Sequence, residues 1–556
     1  MRLTKLSLTN FRSFKDTQTI EFAPITLLFG PNSVGKSTIL MALFYLQQII
    51  TKEQCNPTKI DAMGEKKIDG FKSLVSNGDL NSEIKIGIEF LTETTIGNEY
   101  SEYIDRISDL TDLDIIEVND LSNEAKKIKL EFLISWSFAK RNAYVREYTV
   151  TINDEFIGML RSNEHYDKAI IKNINFSHHL INDVETNNES SDHLYKNAFH
   201  EKYNSLIGGK RADFFYKKIN ENDDDDNSGI NENSVRPVLI KGFAGALPPL
   251  GTLVQTSLET SEPDNISELI NNDIINRALT QIFTSPLDKL KILLDESVSI
   301  GPIRIVPDAS FKPNPYTEQK NWFNGTAAWD ILYQLENNIG DENLIEKIND
   351  WLVSEEKLNS GYKIQRQINL QEIIINNILG SDEKSATCFF KPDNNAFFKK
   401  NDEPQLFFIN KSNDLKLYPN QVGVGLSQIL PIIVSAHIVK NGFIAIEQPE
   451  LHIHPALQVA LGDLFTQLQV PAVTKPMFII ETHSEHIILR LLRRVKESNN
   501  NTLPQKFKKV CPDDISVTYI SDTNSGAIIK KIAVTQDGDF EFDWPNGFFE
   551  ERYEEL

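Results

Sequence analysis

The stretch Gly30-Pro31-Asn32-Ser33-Val34-Gly35-Lys36-Ser37 has the spacing G-x-x-x-x-G-K-S, that of a phosphate-binding loop. Its chemistry is the capture of a nucleoside triphosphate, ATP, with Mg2+. Backbone N–H groups along Asn32, Ser33, Gly35 and Thr38 can converge on phosphate oxygens because the glycines allow close approach. Lys36 reaches the β- and γ-phosphates, and the Ser37 hydroxyl ligates Mg2+. The apolar run Ile25-Thr26-Leu27-Leu28-Phe29 before it reads as a buried strand. Residues 37–50 after it read as a helix whose N-terminus faces the anion.

Three later stretches could complete such a site. Gly423-Val424-Gly425-Leu426-Ser427-Gln428 opens the helical run 429–439 and reads as a second anion turn, with Gly425, Ser427 and Gln428 directed at phosphate. The plain alternative is a capped helix with Ser427 as its cap. Phe443-Ile444-Ala445-Ile446-Glu447-Gln448-Pro449-Glu450 is an apolar strand ending in a carboxylate, the pattern of a Walker B strand, which makes Glu447 a holder of Mg2+ alongside Ser37. Phe478-Ile479-Ile480-Glu481-Thr482-His483-Ser484 is a second buried strand, ending in a polar switch that puts His483 within reach of a γ-phosphate. The pairs His452/His454 and His483/His486 could offer zinc ligands, a weaker reading. Arg490, Arg493, Arg494 and Lys496, with Lys506, Lys508 and Lys509, form the best local basic patch. It reads equally as a solvated helix end or as a contact for nucleic acid or a partner.

The elements that must position these residues are spread over 556 residues. The net charge of −22 disfavours a simple DNA-coating protein. Acidic runs at 221–229 and 549–556 concentrate part of that charge, the first reading as a disordered loop. Three scattered cysteines, Cys55, Cys388 and Cys511, argue against a disulfide framework and fit a reducing cytoplasm. No apolar run reaches the roughly 18 residues of a membrane span, and the N-terminus lacks a signal peptide's apolar core. Alternating strands are expected before the phosphate loop and at 84–90 and 144–152. Helices are expected near 192–220 and 264–296, a strand-like re-entry at 299–307, and strands again at 361–418.

The order of motifs resembles that of ABC-type ATPase heads, and most closely the OLD/RecF/SMC-like ATPases of the AAA-15/AAA-21 kind. Leu8-Thr9-Asn10-Phe11-Arg12-Ser13-Phe14 looks like their N-F-R-S-F start, and Ile446-Glu447-Gln448-Pro449-Glu450-Leu451-His452-Ile453-His454-Pro455 like their I-E-x-P-E-x-H-L-H-P block, which accounts for His452 and His454 without metal. Asp543-Trp544-Pro545-Asn546-Gly547-Phe548-Phe549-Glu550-Glu551 resembles a small C-terminal module of one branch.

The resemblance implies an α/β P-loop NTPase of ABC-type head architecture, a mixed sheet with flanking helices split by a largely helical insertion. The segments are then 1–155 and 401–510 for the head, 156–300 for the insertion, 301–400 for a re-entrant lobe and 511–556 for the terminal module. It implies that Arg12 joins the nucleotide-binding residues. It also implies a homodimer or higher oligomer whose heads sandwich ATP, Lys36 and Ser37 of one subunit sharing it with Ser427 of the other. Where such heads usually carry a catalytic glutamate after the Walker B acid, this chain has Gln448, a poor proton acceptor. Glu450 or Glu481 is left to substitute, or hydrolysis is slow. No room remains for a nuclease domain after His486. The chain resembles the ATPase subunit of Septu-type, retron-associated or PARIS antiphage systems, which implies a separate nuclease or effector as partner, with DNA or a retron RNA/DNA as a further one. The alternative is a RecF/SMC-like repair or recombination ATPase that clamps DNA directly.

Overall fold

A computed structural model describes residues 1–92, 125–163, 165–180, 238–256, 275–334, 343–367, 405–469 and 476–541. Two large sheets organise them. The first has six strands in the order Val298–Ile300, Phe443–Glu447, Met477–Glu481, Ile25–Phe29, Ile515–Thr523, Gly526–Ile532. Its first five strands run parallel, and the last is the return of a hairpin. Ile25–Phe29 and Phe443–Glu447 are buried at every position, because both faces of a parallel sheet are covered. Alternate side chains serve different cores. Leu28, Phe443, Ala445, Met477 and Ile479 join the cluster that includes helix Lys36–Lys52, while Leu27, Ile444, Ile446, Phe478 and Ile480 join helices Val424–Ile438, Pro455–Gln469 and Glu485–Asn499. This period of two matters for the site. It puts Glu447 and Glu481, each the last residue of its strand, on the face where helix Lys36–Lys52 packs.

The second sheet has eight antiparallel strands in the order Leu239–Lys241, Lys168–Ile174, Glu155–Ser162, Asn142–Ile152, Lys127–Ser137, Ile84–Leu91, Arg2–Thr9, Gln18–Glu21. The strands expected before the phosphate loop and at 84–90 and 144–152 are all present. A smaller sheet of Tyr362–Gln367, Gln405–Asn410 and Lys416–Leu417 packs near helices Thr326–Gln334 and Leu344–Val353. Among the described residues no helix is long and apolar enough to cross a membrane.

Several expected boundaries move. The cut at 156 falls inside the eight-stranded sheet, since Glu155–Ser162 pairs with Asn142–Ile152 and the chain adds two more strands before its helix Ser285–Asp295. The cut at 511 falls inside the six-stranded sheet, because Ile515–Thr523 lies directly beside Ile25–Phe29 with residues 515–520 buried. The re-entry is a strand only at Val298–Ile300. Pro302 and Pro307 lack the N–H a ladder needs, so residues 301–307 run irregularly along the strand ends. The helix expected at 192–220, both acidic runs and the 543–551 motif lie outside the described residues.

Candidate functional site

Ile25–Phe29 is the point where strand order reverses, with Met477–Glu481 on one side and Ile515–Thr523 on the other. Ligands of open α/β sheets sit at the carboxyl ends of strands at such a point, and the phosphate loop leaves from here. Gly30 has φ 141°, and a Cβ on it would stand 2.1 Å from the Ile520 carbonyl oxygen. Gly35 has φ 122°, with Ser13 Oγ 2.4 Å from the position of its absent Cβ. Only glycine fits either place. The second contact also brings the Asn10–Lys15 hairpin, whose Asn10 N–H donates to Lys15 O, onto the loop.

Asn32 and Ser33 are exposed, Ser33 with φ 66°. Lys36 Nζ donates to the carbonyl oxygens of Gly30 (2.9 Å) and Pro31 (2.8 Å) and stands 3.9 Å from Glu481 Oε1. Burial pulls the Lys36 ammonium below its ordinary pKa, while the charges of Glu481 and Glu450 oppose that. Ser37 Oγ donates to Glu481 Oε2 at 2.6 Å. Thr38 N–H returns to Gly35 O as the helix begins. No acidic side chain occupies the first turn of Lys36–Lys52, so its positive end stays open to an anion.

Glu447 and Glu481 are register partners on adjacent strands, and both are buried. Burial, then the charge of Glu481, pushes the Glu447 carboxyl up to about 7, against the field of Lys66. Glu447 Oε1 is buried with no hydrogen-bond partner among the described residues. A hydroxyl and carboxylate oxygens are hard donors, and an unsatisfied buried carboxylate oxygen on the strand next to Glu481, which Ser37 bonds, fits Mg2+. Ser37 and Glu447 would hold it and let it draw charge from phosphate oxygens.

Gln448 follows in a left-handed turn (φ 45°), its N–H donating to Glu481 O at 2.8 Å. Glu450 is engaged elsewhere: Oε2 accepts from Thr482 Oγ1 at 2.7 Å and Oε1 from the His483 N–H at 2.8 Å. It holds the switch turn in place. The His483 imidazole is depressed by burial and next by the nearby Lys36 charge. Glu447, Gln448, Glu450 and His483 thus lie at the same strand ends as Lys36 and Ser37. Arg12, with φ 51°, sends its N–H to Leu74 O and rests Nη1 2.9 Å from Met41 Sδ, on the flank of the phosphate-loop helix.

The second turn departs from expectation. Gly423 caps helix Val424–Ile438, which makes Ser427 its fourth residue and turns it into the core. Its hydroxyl is fully buried and donates to Pro419 O at 3.0 Å. It is neither the cap nor a group that a second subunit's phosphate could reach. Gln428 is buried too: Oε1 accepts the Arg304 N–H (3.3 Å) and Nε2 donates to Arg304 O (2.7 Å). What faces outward is backbone at Gly423–Gly425 and the Val424 side chain, 57% exposed.

Arg304 is the residue that the sequence reading passed over. Burial lowers its guanidinium to about 10. Nη1 donates to Gln428 O (3.3 Å), and Nη2 to Glu447 O (3.2 Å) and Gln448 O (3.5 Å). It therefore ties the second turn to the end of the Glu447 strand. The available signal was a lone arginine in the apolar stretch Ser299-Ile300-Gly301-Pro302-Ile303-Arg304-Ile305-Val306.

The basic patch resolves into internal pairs. Arg494 grips Asp463 (2.7 Å) and also Glu497, Arg490 stands 3.6 Å from Asp463, and Arg493 pairs with Glu497 (2.7 Å). Lys506 pairs with Glu356 and Lys509 with Asn501.

This loop, helix and acid-tipped parallel sheet define a P-loop nucleotide-binding ATPase domain. The chain belongs to the AAA ATPase domain family, whose profile matches residues 1–488. It is similar to the DNA replication and repair protein RecF of Desulforamulus reducens, 47% identical over 45 residues, which are 8% of this chain and 12% of that relative. Among solved structures, an SMC head bound to the C-winged helix domain of ScpA is 9% identical with a TM-score of 0.38, covering 96% of this chain and 99% of that one. The SMC head domain from Thermotoga maritima is 9% identical with a TM-score of 0.35, covering 96% and 100%.

Proposed function

We propose that this protein binds Mg2+ and ATP at the Gly30–Ser37 loop, hydrolyses ATP slowly, and uses bound ATP to hold copies of itself together as a switch on a separate effector. The observation that carries the reading is the disposition of the acids. The position after Glu447 is Gln448, and Glu450, the next acid, is engaged by Thr482 and the His483 N–H. An amide orients water but does not take its proton, and a positioned base is worth about 10²–10⁴-fold. A slow ATPase suits a timer better than a motor. The finer reading is the regulatory subunit of an antiphage defence complex that restrains a nuclease carried on another chain. The pairing of the Arg490–Arg494 cations and the net charge of −22 support a protein partner over a nucleic-acid one.

Turnover by the full chain and its mass in ATP and in ADP test the core of this reading. The expected result is turnover of roughly once per minute, on the scale of a missing general base, with a larger assembly in ATP alone. Fast turnover with no change of mass overturns it. A nuclease or reverse transcriptase gene beside this one is expected, and copurification of its product checks the partner. A second reading, a DNA-clamping repair ATPase, is favoured by the 45-residue likeness to RecF. It requires ATP turnover to rise on addition of duplex DNA.

A further inference from the structure

Two glutamates end neighbouring strands at the phosphate loop. Glu447 and Glu481 are paired in register, and parallel strands at about 4.8 Å spacing carry in-register side chains on the same face. Both side chains are more than nine-tenths buried. Glu481 reaches the Ser37 hydroxyl at 2.6 Å. Glu447 keeps one buried oxygen without a hydrogen-bond partner. Lys36 Nζ, which bonds two loop carbonyls, makes a salt bridge with Glu481 at 3.9 Å, one ammonium beside two buried carboxylates. Adjacent buried carboxylates repel unless a cation lies between them. Ser37 bonds Glu481, and Glu447 is the register partner of Glu481 on the same face, so the strand ends bring together a hydroxyl and two carboxylates, the donor set of a hard divalent ion.

We propose that Glu481 is a metal-ligating carboxylate, and that Ser37, Glu447 and Glu481 together form a two-carboxylate site that takes a divalent cation before nucleotide arrives. This rests on the ATPase reading of the same pocket and deepens it. Mg2+ in nucleotide sites is usually held by one or two carboxylates and completed by substrate phosphates. Here the protein supplies two carboxylates and a hydroxyl by itself, so phosphate is not needed to retain the ion. The assignment also separates the roles of the acids: Glu481 binds metal, Glu450 braces the switch turn, and neither replaces the base missing at Gln448.

The experiment is titration of the full chain with Mn2+, a paramagnetic stand-in for Mg2+, in the absence of nucleotide and read by electron paramagnetic resonance. Wild type is expected to bind Mn2+. Glu481→Gln should weaken binding by roughly tenfold or more, a scale reached even by outer-shell partners of metal ligands. Glu481→Asp should fall between the two, and Lys36→Met should retain Mn2+ while losing nucleotide. Binding of a fluorescent ATP analogue in EDTA reports whether the Glu481→Gln pocket is still folded; if it is not, Glu481→Asp decides. Unchanged Mn2+ affinity in a folded Glu481→Gln overturns the proposal, including the case where that variant loses turnover and Glu481 is instead the base. Failure of wild type to bind Mn2+ without nucleotide overturns it too. Failure of wild type to bind ATP under any condition sinks the ATPase reading instead, and the Mn2+ result stands apart from it.

Discussion

Two glycine-rich turns open helices in this molecule, at Gly30–Ser37 and at Gly423–Gln428, and they dispose of their polar side chains in opposite ways. At the first, Lys36 and Ser37 turn toward the strand ends and meet Glu481. At the second, Ser427 and Gln428 turn inward, to Pro419 O and to Arg304, and leave backbone and Val424 on the outside. Both sequences offer glycines, a helix N-terminus and a hydroxyl. The difference is where the hydroxyl falls on the helix. Ser37 is the second residue of its helix, in the turn that still faces the loop, whereas Ser427 is the fourth, already on the buried side. An anion turn is thus recognised by the phase of its helix as well as by composition.

The first turn is expected to be chemically essential and the second to work through backbone and through Arg304. The largest effect tests the first half. Lys36→Ala should weaken ATP binding by about 2–5 kcal/mol, the scale for removing one partner of a buried charge contact. Unchanged affinity by equilibrium binding breaks the assignment.

Arg304→Met comes next. It strips three carbonyl oxygens of a charged donor, and bonds to charged groups are worth about 1.5–3 kcal/mol each. A loss of about 2–4 kcal/mol in chemical denaturation is expected, allowing for the hydrophobic gain of methionine. Arg304→Lys should recover little, because one ammonium cannot span the two turns as the planar fork does. Normal stability in Arg304→Met would mean that the two turns are not joined through this residue.

Gln448→Glu sharpens the contrast between binding and hydrolysis. It should raise turnover by about tenfold or more and shorten the life of any ATP-held assembly, whereas Gln448→Ala should change turnover little. A fast wild type insensitive to Gln448→Ala would show that water is activated elsewhere.

The smallest effects separate the two faces of the second turn. Ser427→Ala should cost about 1 kcal/mol of stability for one lost buried hydrogen bond and leave ATP-dependent association intact. Val424→Arg should change stability by no more than about 0.5 kcal/mol, as exposed substitutions do, yet weaken that association. The reverse pattern would restore Ser427 as the contacting group.

Much of this was legible in the chain. The phosphate loop, the apolar strands ending in Glu447 and Glu481, and the helix after the first turn follow from short-range pattern and appear where expected, whereas the helix after the second turn begins at Val424, five residues before its expected start. The N-F-R-S-F hairpin was legible as a motif, and the structure adds that it lies against Gly35. The domain cuts at 156 and 511 were not, because strand pairing joins residues far apart: Ile515–Thr523 completes a sheet begun at Ile25–Phe29. Arg304 was hidden for the same reason, since its partners lie more than a hundred residues further along the chain. The pairing of the basic run was only half legible: Glu497 lies one turn along the same helix from Arg493 and Arg494, whereas Asp463 is brought to Arg490 and Arg494 by helix packing.

The sequence by itself determined the local shapes at the strand ends: glycines where φ is positive, a lysine and a serine at a helix start, and acids at the ends of buried strands. Those are properties of a few consecutive residues. Only the tertiary structure decided which acids stand together and which hydroxyl faces out. Strand order put Met477–Glu481 between the phosphate loop and Phe443–Glu447, so Glu481 reaches Ser37 and its field falls on Glu447. Helix phase and the guanidinium of Arg304 withdrew Ser427 and Gln428 from the surface. Neither outcome is a property of neighbouring residues, because each depends on the packing of elements that the chain brings together from a distance.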